Sequence, residues 1–156
     1  YAKGLLDKTW LSFIIGEANE QGVPVIVDPK PTHGHSYVGC SYITPNEKEM
    51  LELEPGFSSP LNAAVAFSQK NKCGILLTRG AMGISLIRGG SYQGTWSAQA
   101  REVFDVSGAG DTVVAAFALA LASGSTEEEA IIFANKAAGV VVGKHGTSTV
   151  KPEEIK

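Results

Sequence analysis

Apolar residues along the chain recur at two different spacings, and segments of one kind alternate with segments of the other. Residues 9–21 have the three- and four-residue intervals of an amphipathic helix. The apolar positions that define this helix are Trp10, Phe13, Ile14 and Ala18. Gly22 follows at the position where a left-handed residue commonly ends a helix. Residues 23–28 are then a short valine-rich run, which predicts a buried parallel strand.

The same two spacings predict the remaining elements of the fold. Helices are predicted at residues 46–54, 61–72 and 111–123, and from Thr126 to about Val142. Strands are predicted at residues 41–44, 74–78, 84–88 and 91–96. The last two strands should form a hairpin, because Gly89 and Gly90 adopt positive φ at little cost. Thr126 and Glu129 have the spacing of a capping box. We therefore expect one α/β domain over residues 1–156, with a mostly parallel sheet flanked by helices.

Composition narrows the classes of partner. Of the residues, 44% are hydrophobic and 19% charged, which is typical of a globular domain with a real core. A net charge of −3 gives no electrostatic reason to expect nucleic acid. The most apolar stretch, residues 113–122, is about half of the ~20 residues that a membrane-spanning helix needs, so no membrane partner is expected. Cys40 and Cys73 lack metal-type spacing. We expect two reduced buried thiols, with a disulfide as the alternative, and reduced thiols predict a cytoplasmic location.

A glycine-rich turn directly before a helix is the most informative segment. Gly108, Ala109 and Gly110 are small enough for the backbone to approach a ligand and to direct several N–H groups at one point. With the helix dipole, these groups would form a hole for a phosphoryl group. Asp111 lies at its mouth and could accept a proton from a substrate hydroxyl. The alternative is that Asp111 caps its helix and the glycines form an ordinary turn. These residues alone do not separate the two hypotheses.

Two better-known glycine motifs are absent. A dinucleotide fingerprint needs a third glycine where Val113 stands. A P-loop needs four residues between its glycines, whereas residues 139–144 offer a shorter spacing and continue into His145. A small Rossmann-type cofactor binder is therefore a weak alternative.

The segment from Asp105 to Asp111 resembles the second signature of the PfkB/ribokinase carbohydrate kinases, in which Asp-Thr commonly precedes Gly-Ala-Gly-Asp. Ser107 stands close to that threonine position and keeps its hydroxyl. The resemblance implies the C-terminal half of a three-layer ribokinase-like fold. It also implies ATP-dependent phosphoryl transfer to a sugar hydroxyl, with Asp111 as the base and the N–H groups of residues 108–110 as the anion hole.

Other segments resemble the family in the expected order. Asn46 and Glu49 match its Asn-x-x-Glu motif, which implies that they organise Mg²⁺ through water. A helix cap at Asn46 is the alternative, and both can be true. Residues 78–83 and the last helix resemble the nucleotide site. The implied nucleotide-binding residues are Thr78, Gly80, Gly83, Asn135 and Gly139. A turn before a hairpin and a core helix explain these residues equally well.

Within the family, the chain is most similar to the D-glycero-β-D-manno-heptose 7-phosphate kinase domain of bacterial ADP-heptose synthases, which supply lipopolysaccharide core biosynthesis. The segments that carry this likeness are residues 1–4, 27–30, 44–46 and 133–150. It implies a sugar phosphate as substrate, and Lys30 is a candidate contact for its phosphate, with a solvated loop lysine as the alternative. Family members commonly bind a monovalent cation, for which Asp105, Ser107 and carbonyls near Lys144 and Gly146 are K⁺ candidates.

Family members are roughly twice as long as this chain. The sugar-binding Gly-Gly-Asn element of their N-terminal part has no counterpart in the 156 residues. Half of such a sheet would expose strand edges and apolar faces, so we expect homo-oligomers or a partner that supplies the missing half. The alternative function is a truncated, non-catalytic module that binds nucleotide or promotes assembly.

Overall fold

A computed structural model describes residues 8–30, 37–99 and 104–155. The chain divides into two compact units. The first unit contains residues 1–78 and 85–94, and the second contains residues 79–84 and 95–156. The single-domain organisation expected from the sequence stays a prediction. Residues 1–4, which contribute to the family likeness, lie outside the described part of the chain.

The described part of the chain has five strands, which form one sheet in the order of the sequence. They are β1 Ile26–Val27, β2 Tyr42–Ile43, β3 Gly74–Thr78, β4 Ile84–Arg88 and β5 Ser91–Trp96. The first three strands are parallel, with Tyr42 opposite both Ile26 and Gly74. The short connections after β3 and β4 require antiparallel neighbours, because a parallel crossover needs a dozen or more residues. The sheet is therefore mixed, and the predicted α/β class is confirmed.

The first two strands are shorter than predicted. Pro24 carries no N–H for a ladder, and the N–H of Val25 donates to the Ser41 hydroxyl at 3.0 Å instead of to a neighbouring strand. The backbone N–H groups of Ser41 and of Tyr42 both donate to the Val25 carbonyl. The predicted run at residues 23–28 therefore supplies two paired strand residues, and its outer part is irregular.

In the described residues of the first unit the helices are α1 Lys8–Glu20, α2 Glu47–Leu53 and α3 Pro60–Asn71. Asn46 caps α2 and Ser59 caps α3, where Pro60 occupies the first turn. Around β2 and β3 lies a fully buried apolar core that includes Ile43, Met50 and Ile75. Cys40 and Cys73 belong to this core and are free thiols, as expected.

The apolar face of α1 differs from the prediction. Trp10 and Phe13 are 55% and 56% exposed, and Ile14 is exposed too. The buried side chains are Leu11 and Ile15, one helical turn apart. The sequence has apolar residues on a wide arc of this helix, and the core of the first unit covers only part of that arc. The Trp10 and Phe13 rings instead pack edge to face with centroids 5.8 Å apart.

The second unit is built on two long helices, α4 Ala109–Ala122 and α5 Glu127–Val142, which pack against each other. Helix α4 begins two residues earlier than predicted, because Gly108 in the left-handed conformation acts as its N-cap. The predicted capping box of Thr126 and Glu129 is confirmed at the start of α5. Within the described ranges, no helix is both long and apolar enough to cross a bilayer.

Candidate active site

The turn before α4 presents unpaired backbone N–H groups. Gly108 has φ +79° and ψ 0°, and its carbonyl accepts from both the N–H and the hydroxyl of Thr112, at 3.0 and 2.8 Å. The N–H of Ala109 donates to the Val106 carbonyl at 3.2 Å. No acceptor in residues 8–30, 37–99 or 104–155 pairs with the N–H groups of Gly108, Gly110 or Asp111. The set of free donors therefore differs from the predicted one, since Ala109 is engaged in the turn and Asp111 contributes its own N–H.

Asp111 occupies the third position of its helix, where an acidic side chain commonly folds back to cap. Glu49 in α2 and Glu129 in α5 occupy the same position and accept from their N-cap N–H at 2.9 and 2.8 Å. Helix α4 has no side-chain cap, and within the described ranges nothing donates to the exposed Asp111 carboxylate. Its oxygens and the free N–H groups thus lie at the same open end of α4.

Asp105 is held in its ionised form just before this turn. Its Oδ1 accepts from the N–H of Ser107 at 2.8 Å. This bond is the main reason that the pKa of Asp105 lies below its ordinary value, with smaller contributions from the Ser107 hydroxyl, the N–H of Gly146 and nearby His145. The structure thus brings together three of the residues predicted around a monovalent cation. It is the N–H of Gly146 that faces Asp105, whereas a cation ligand would be the carbonyl.

The loop after α5 lies against the same turn. The N–H groups of Phe104 and Asp105 donate to the Val142 carbonyl at 2.8 and 3.2 Å. The rings of Phe104 and His145 have centroids 5.0 Å apart. The Thr147 methyl group is 3.4 Å from the place that a Cβ on Gly108 would occupy. The glycine turn and the residues before it are therefore in contact with the end of α5 and with the loop that follows it.

Gly83 and Asn135 come together on the backbone of Trp96. Asn135 is buried in α5, and its Nδ2 donates to the Trp96 carbonyl at 2.8 Å. A Cβ on Gly83, which has φ +86°, would be 2.0 Å from the same carbonyl oxygen. The close approach that Gly83 permits is thus one of protein backbone. Gly80, with φ +55°, is exposed, and Gly139 is half-buried one turn after Asn135.

In the first unit, polar residues gather where the parallel strands end. Thr78 ends β3 and donates its N–H to the Pro45 carbonyl at 2.9 Å, which places Asn46 beside it as an isolated bridge. Lys30 follows β1, and its Nζ lies 2.8 Å from Asp28 Oδ2 and 3.7 Å from Glu49 Oε1. Carboxyl ends of parallel strands are where α/β folds bind ligands.

Lys30 is an ion-paired residue in this cluster. The hydrogen bond to Asp28 is the main reason that its pKa is raised, with Glu49 contributing through its charge and burial opposing the shift. Glu49 Oε2 accepts the hydrogen bond that caps α2, and Oε1 is the oxygen that faces Lys30, so both oxygens already have partners. Such a donor set suits contact with Mg²⁺ through water better than direct coordination.

Two groups of the candidate site were not predicted from the sequence, the Asp28 carboxylate and the backbone N–H of Asp111. Asp28 directly follows β1, at the carboxyl end of a parallel strand where ligands bind in this fold class. The N–H of Asp111 is free because it belongs to the first turn of a helix, a property of every helix start. Neither was distinguishable from ordinary residues until the strand ends and the helix start were placed.

Curated relatives match almost the whole of this chain. HldE of Klebsiella pneumoniae, a bifunctional protein, is 45% identical over 160 residues, which cover 99% of this chain and 33% of that protein. HldE of Granulibacter bethesdensis is 42% identical over 167 residues, covering 100% and 34%. The chain therefore spans about a third of the length of the curated relatives it matches.

Solved ribokinases are similar in fold. The ribokinase of Thermotoga maritima has a TM-score of 0.82 and 28% identity, covering 93% of this chain and 52% of that one. The ribokinase of Arabidopsis thaliana, solved with ribose and ATP, has a TM-score of 0.71 and 31% identity, covering 88% and 48%. These likenesses confirm the ribokinase-like fold. The family model for the pfkB family carbohydrate kinases matches residues 4–154, so the chain belongs to that family.

Proposed function

We propose that the protein containing this chain transfers the γ-phosphate of ATP to a hydroxyl of a sugar. The observation that carries the proposal is the state of Asp111. Its carboxylate accepts no protein hydrogen bond in the described ranges, whereas Glu49 and Glu129 at the equivalent helix positions are used as caps. A carboxylate without a hydrogen-bond donor, beside unpaired N–H groups, suits a reaction that transfers both a proton and a phosphoryl group.

Each group of the chain would have a distinct role in the transfer of the phosphoryl group. The sugar hydroxyl oxygen attacks the γ-phosphorus, and the bond from that phosphorus to the ADP oxygen breaks. The hydroxyl proton passes to the Asp111 carboxylate. The free N–H groups of Gly108 and Gly110, with the positive end of the α4 dipole, stabilise the negative charge on the transferring phosphoryl group. Ala109 can join them only if its turn hydrogen bond opens.

The nucleotide and its ions are further parts of the proposal. Support for ATP comes from family membership and from the Arabidopsis ribokinase, which was solved with ATP. The proposed nucleotide-binding residues remain Thr78, Gly80, Gly83, Asn135 and Gly139. Mg²⁺, which neutralises phosphate charge when bound, would be held through water by Asn46 and Glu49. K⁺ would be held beside Asp105 and Ser107. ATP dependence and the free thiols favour the cytoplasm.

We propose heptose 7-phosphate as the sugar. Support comes from the 45% identity to HldE across almost the whole chain. Lys30 is the proposed contact for the sugar phosphate. Because Asp28 lies 2.8 Å from its Nζ, a bound phosphate would share this ammonium group with the carboxylate.

The proposed role of Asp111 is tested by Asp111→Asn in the full-length native protein. The amide keeps the size of the side chain but cannot take the proton, so we expect turnover to fall by about 10²-fold or more with ATP affinity nearly unchanged. A coupled assay over sugar phosphates and calorimetry with Mg-ATP measure the two quantities. Glu127→Gln, which removes an acid from the first turn of α5, controls for the loss of helix-dipole stabilisation. Normal turnover in Asp111→Asn would exclude its assignment as the base.

The second candidate function is a non-catalytic module that binds nucleotide or promotes assembly. The observation that favours it is the exposed apolar side of α1, with Trp10, Phe13 and Ile14. Binding of Mg-ATP without turnover on any sugar phosphate would favour this candidate over the kinase.

A further inference from the structure

The side chain of Lys144 makes two contacts that the proposed reaction does not use. Lys144 lies two residues after Val142, the last residue of α5, and its Nζ donates to the Thr149 carbonyl and to Glu154 Oε2, both at 2.8 Å. About a third of each charged side chain is exposed, 31% for Lys144 and 33% for Glu154. One ammonium group thus joins the two ends of the loop at residues 145–149 and the short 3₁₀ helix Pro152–Glu154.

Two other contacts tie this loop to the rest of the second unit, the N–H of Gly146 on the Asp105 carboxylate and the His145 ring against Phe104. Among the described residues, positions 145–150 take part in no backbone-to-backbone hydrogen bond. The Ser148 hydroxyl makes local bonds to the carbonyls of His145 and Gly146, at 3.2 and 3.3 Å. Hydrogen bonds from a charged donor are stronger than those from a neutral donor. The bonds of Lys144 therefore stabilise the loop more than either bond of the Ser148 hydroxyl does.

The Glu154 carboxylate, which accepts from Lys144, is itself held in place. Glu154 Oε2 accepts from the N–H of Lys151 at 2.8 Å as well as from Lys144. A carboxylate anchored by its own 3₁₀ helix is a fixed point, which reduces the entropy lost when the lysine side chain is ordered against it.

The loop that Lys144 closes is the one that touches the glycine turn. The Thr147 methyl group lies 3.4 Å from the place that a Cβ on Gly108 would occupy. The N–H of Gly146 faces the Asp105 carboxylate, which in turn accepts from the N–H of Ser107. All of these residues belong to the second unit. A continuous set of contacts therefore runs from the Lys144 ammonium group to the backbone of residues 105–108.

We propose that Lys144, paired with Glu154, is a positioning residue that keeps the loop at residues 145–149 against the glycine turn and so fixes the direction of the free N–H groups of Gly108 and Gly110. The inference rests on the proposed function for its catalytic consequence, and on geometry alone for its structural one. Small errors in the placement of such donors reduce turnover strongly, because the transition state is stabilised only when they point at the transferring group.

The structural consequence is tested without any activity measurement. In the full-length native protein, Lys144→Met keeps the apolar stem and removes the charge. We expect increased backbone mobility at Gly108 and Gly110, measured by ¹⁵N relaxation. Lys70→Met is the matched control, because it removes a lysine–glutamate pair from the first unit, with Glu54 at 3.2 Å. Unchanged relaxation at both glycines in Lys144→Met would overturn the proposal.

The catalytic consequence is tested with the same variants. We expect Lys144→Met to lower kcat by about tenfold or more with the KM for ATP nearly unchanged, since the donors would still be present but poorly aligned. Lys144→Arg, which keeps a charged donor, should recover most of the loss. An equal loss in the Arg and Met variants, or a kcat in Lys144→Met equal to that of Lys70→Met, would contradict the positioning role. Normal turnover in Asp111→Asn would refute the proposed function instead, and the relaxation measurement would still decide the role of Lys144.

Discussion

At the scale of single residues, position within the fold separates side chains that look equivalent in the sequence. Three acids follow a helix start by the same number of residues, yet Glu49 and Glu129 fold back onto their N-caps and Asp111 does not. The difference arises because Gly108 replaces a capping side chain and turns the backbone into the left-handed region. A glycine cap leaves the donors of the first turn free for a ligand.

Gly83 is the residue at which we expect the largest effect of adding one methyl group. In Gly83→Ala, the Cβ would lie 2.0 Å from the Trp96 carbonyl oxygen, in addition to the strain of a positive φ. We expect the free energy of unfolding to fall by about 3 kcal/mol or more, measured by urea denaturation.

Gly124→Ala is the matched control for this prediction. Gly124 has nearly the same φ, +88°, but its Cβ position has no atom within 4 Å. That variant should show only the backbone strain of about 1 kcal/mol. An equal decrease in the free energy of unfolding of both variants would contradict the prediction, because it would mean that the clash with the Trp96 carbonyl does not destabilise the fold.

At the scale of elements, helix starts determine both stability and site geometry. The capping box of α5 links stability to pH, because the hydrogen bonds from the N–H and hydroxyl of Thr126 lower the pKa of Glu129 from its ordinary value of 4.5. A carboxyl with a lowered pKa in the folded state stabilises the fold above its unfolded pKa. That contribution is lost as the pH falls through the folded value.

Thr126→Ala should therefore have an effect that depends on pH. At neutral pH we expect Thr126→Ala to lower the stability by about 1 kcal/mol. This difference from the native protein should shrink as the pH falls below 4.5, the ordinary pKa of Glu129, and the carboxyl is protonated in both proteins. Ser59→Ala removes the cap of α3, which has no acidic partner, so its effect should be constant with pH. Thermal unfolding midpoints across this pH range measure both. A pH-independent effect of Thr126→Ala would contradict the linkage.

At the scale of the whole molecule, the chain carries apolar surface that its own core does not cover. Trp10, Phe13 and Ile14 form the exposed side of α1 next to the buried pair Leu11 and Ile15. Large exposed aromatic residues at neighbouring positions are typical of surfaces that associate.

We expect this side of α1 to promote self-association of residues 1–156. Replacing Trp10 and Phe13 together by serine should shift the chain towards the monomer in sedimentation experiments, with little loss of stability because neither side chain is buried. Leu119→Ser, at an exposed position of α4 in the second unit, is the control. A monomer–oligomer equilibrium that is the same in all three proteins would show that α1 takes no part in assembly.

The local pattern of the sequence determined most elements and their type. The hairpin at Gly89-Gly90, the cap of α5 and the strand β3 follow from short-range rules, since turn residues, capping pairs and apolar runs act over a few positions. The Gly-Ala-Gly-Asp segment likewise marked the family before any geometry was known. These features depend on neighbours in the chain, which the sequence contains.

Tertiary structure alone decided which of several equivalent residues do what. The sequence does not state which part of the α1 arc faces the core, that Ala109 uses its N–H in a turn, or that Lys144 reaches Thr149 and Glu154. Each depends on packing and on hydrogen bonds between groups whose relative positions no local rule specifies. The residue types of the turn thus determine which chemistry is available to it. The contacts around the turn determine how its N–H donors are aligned.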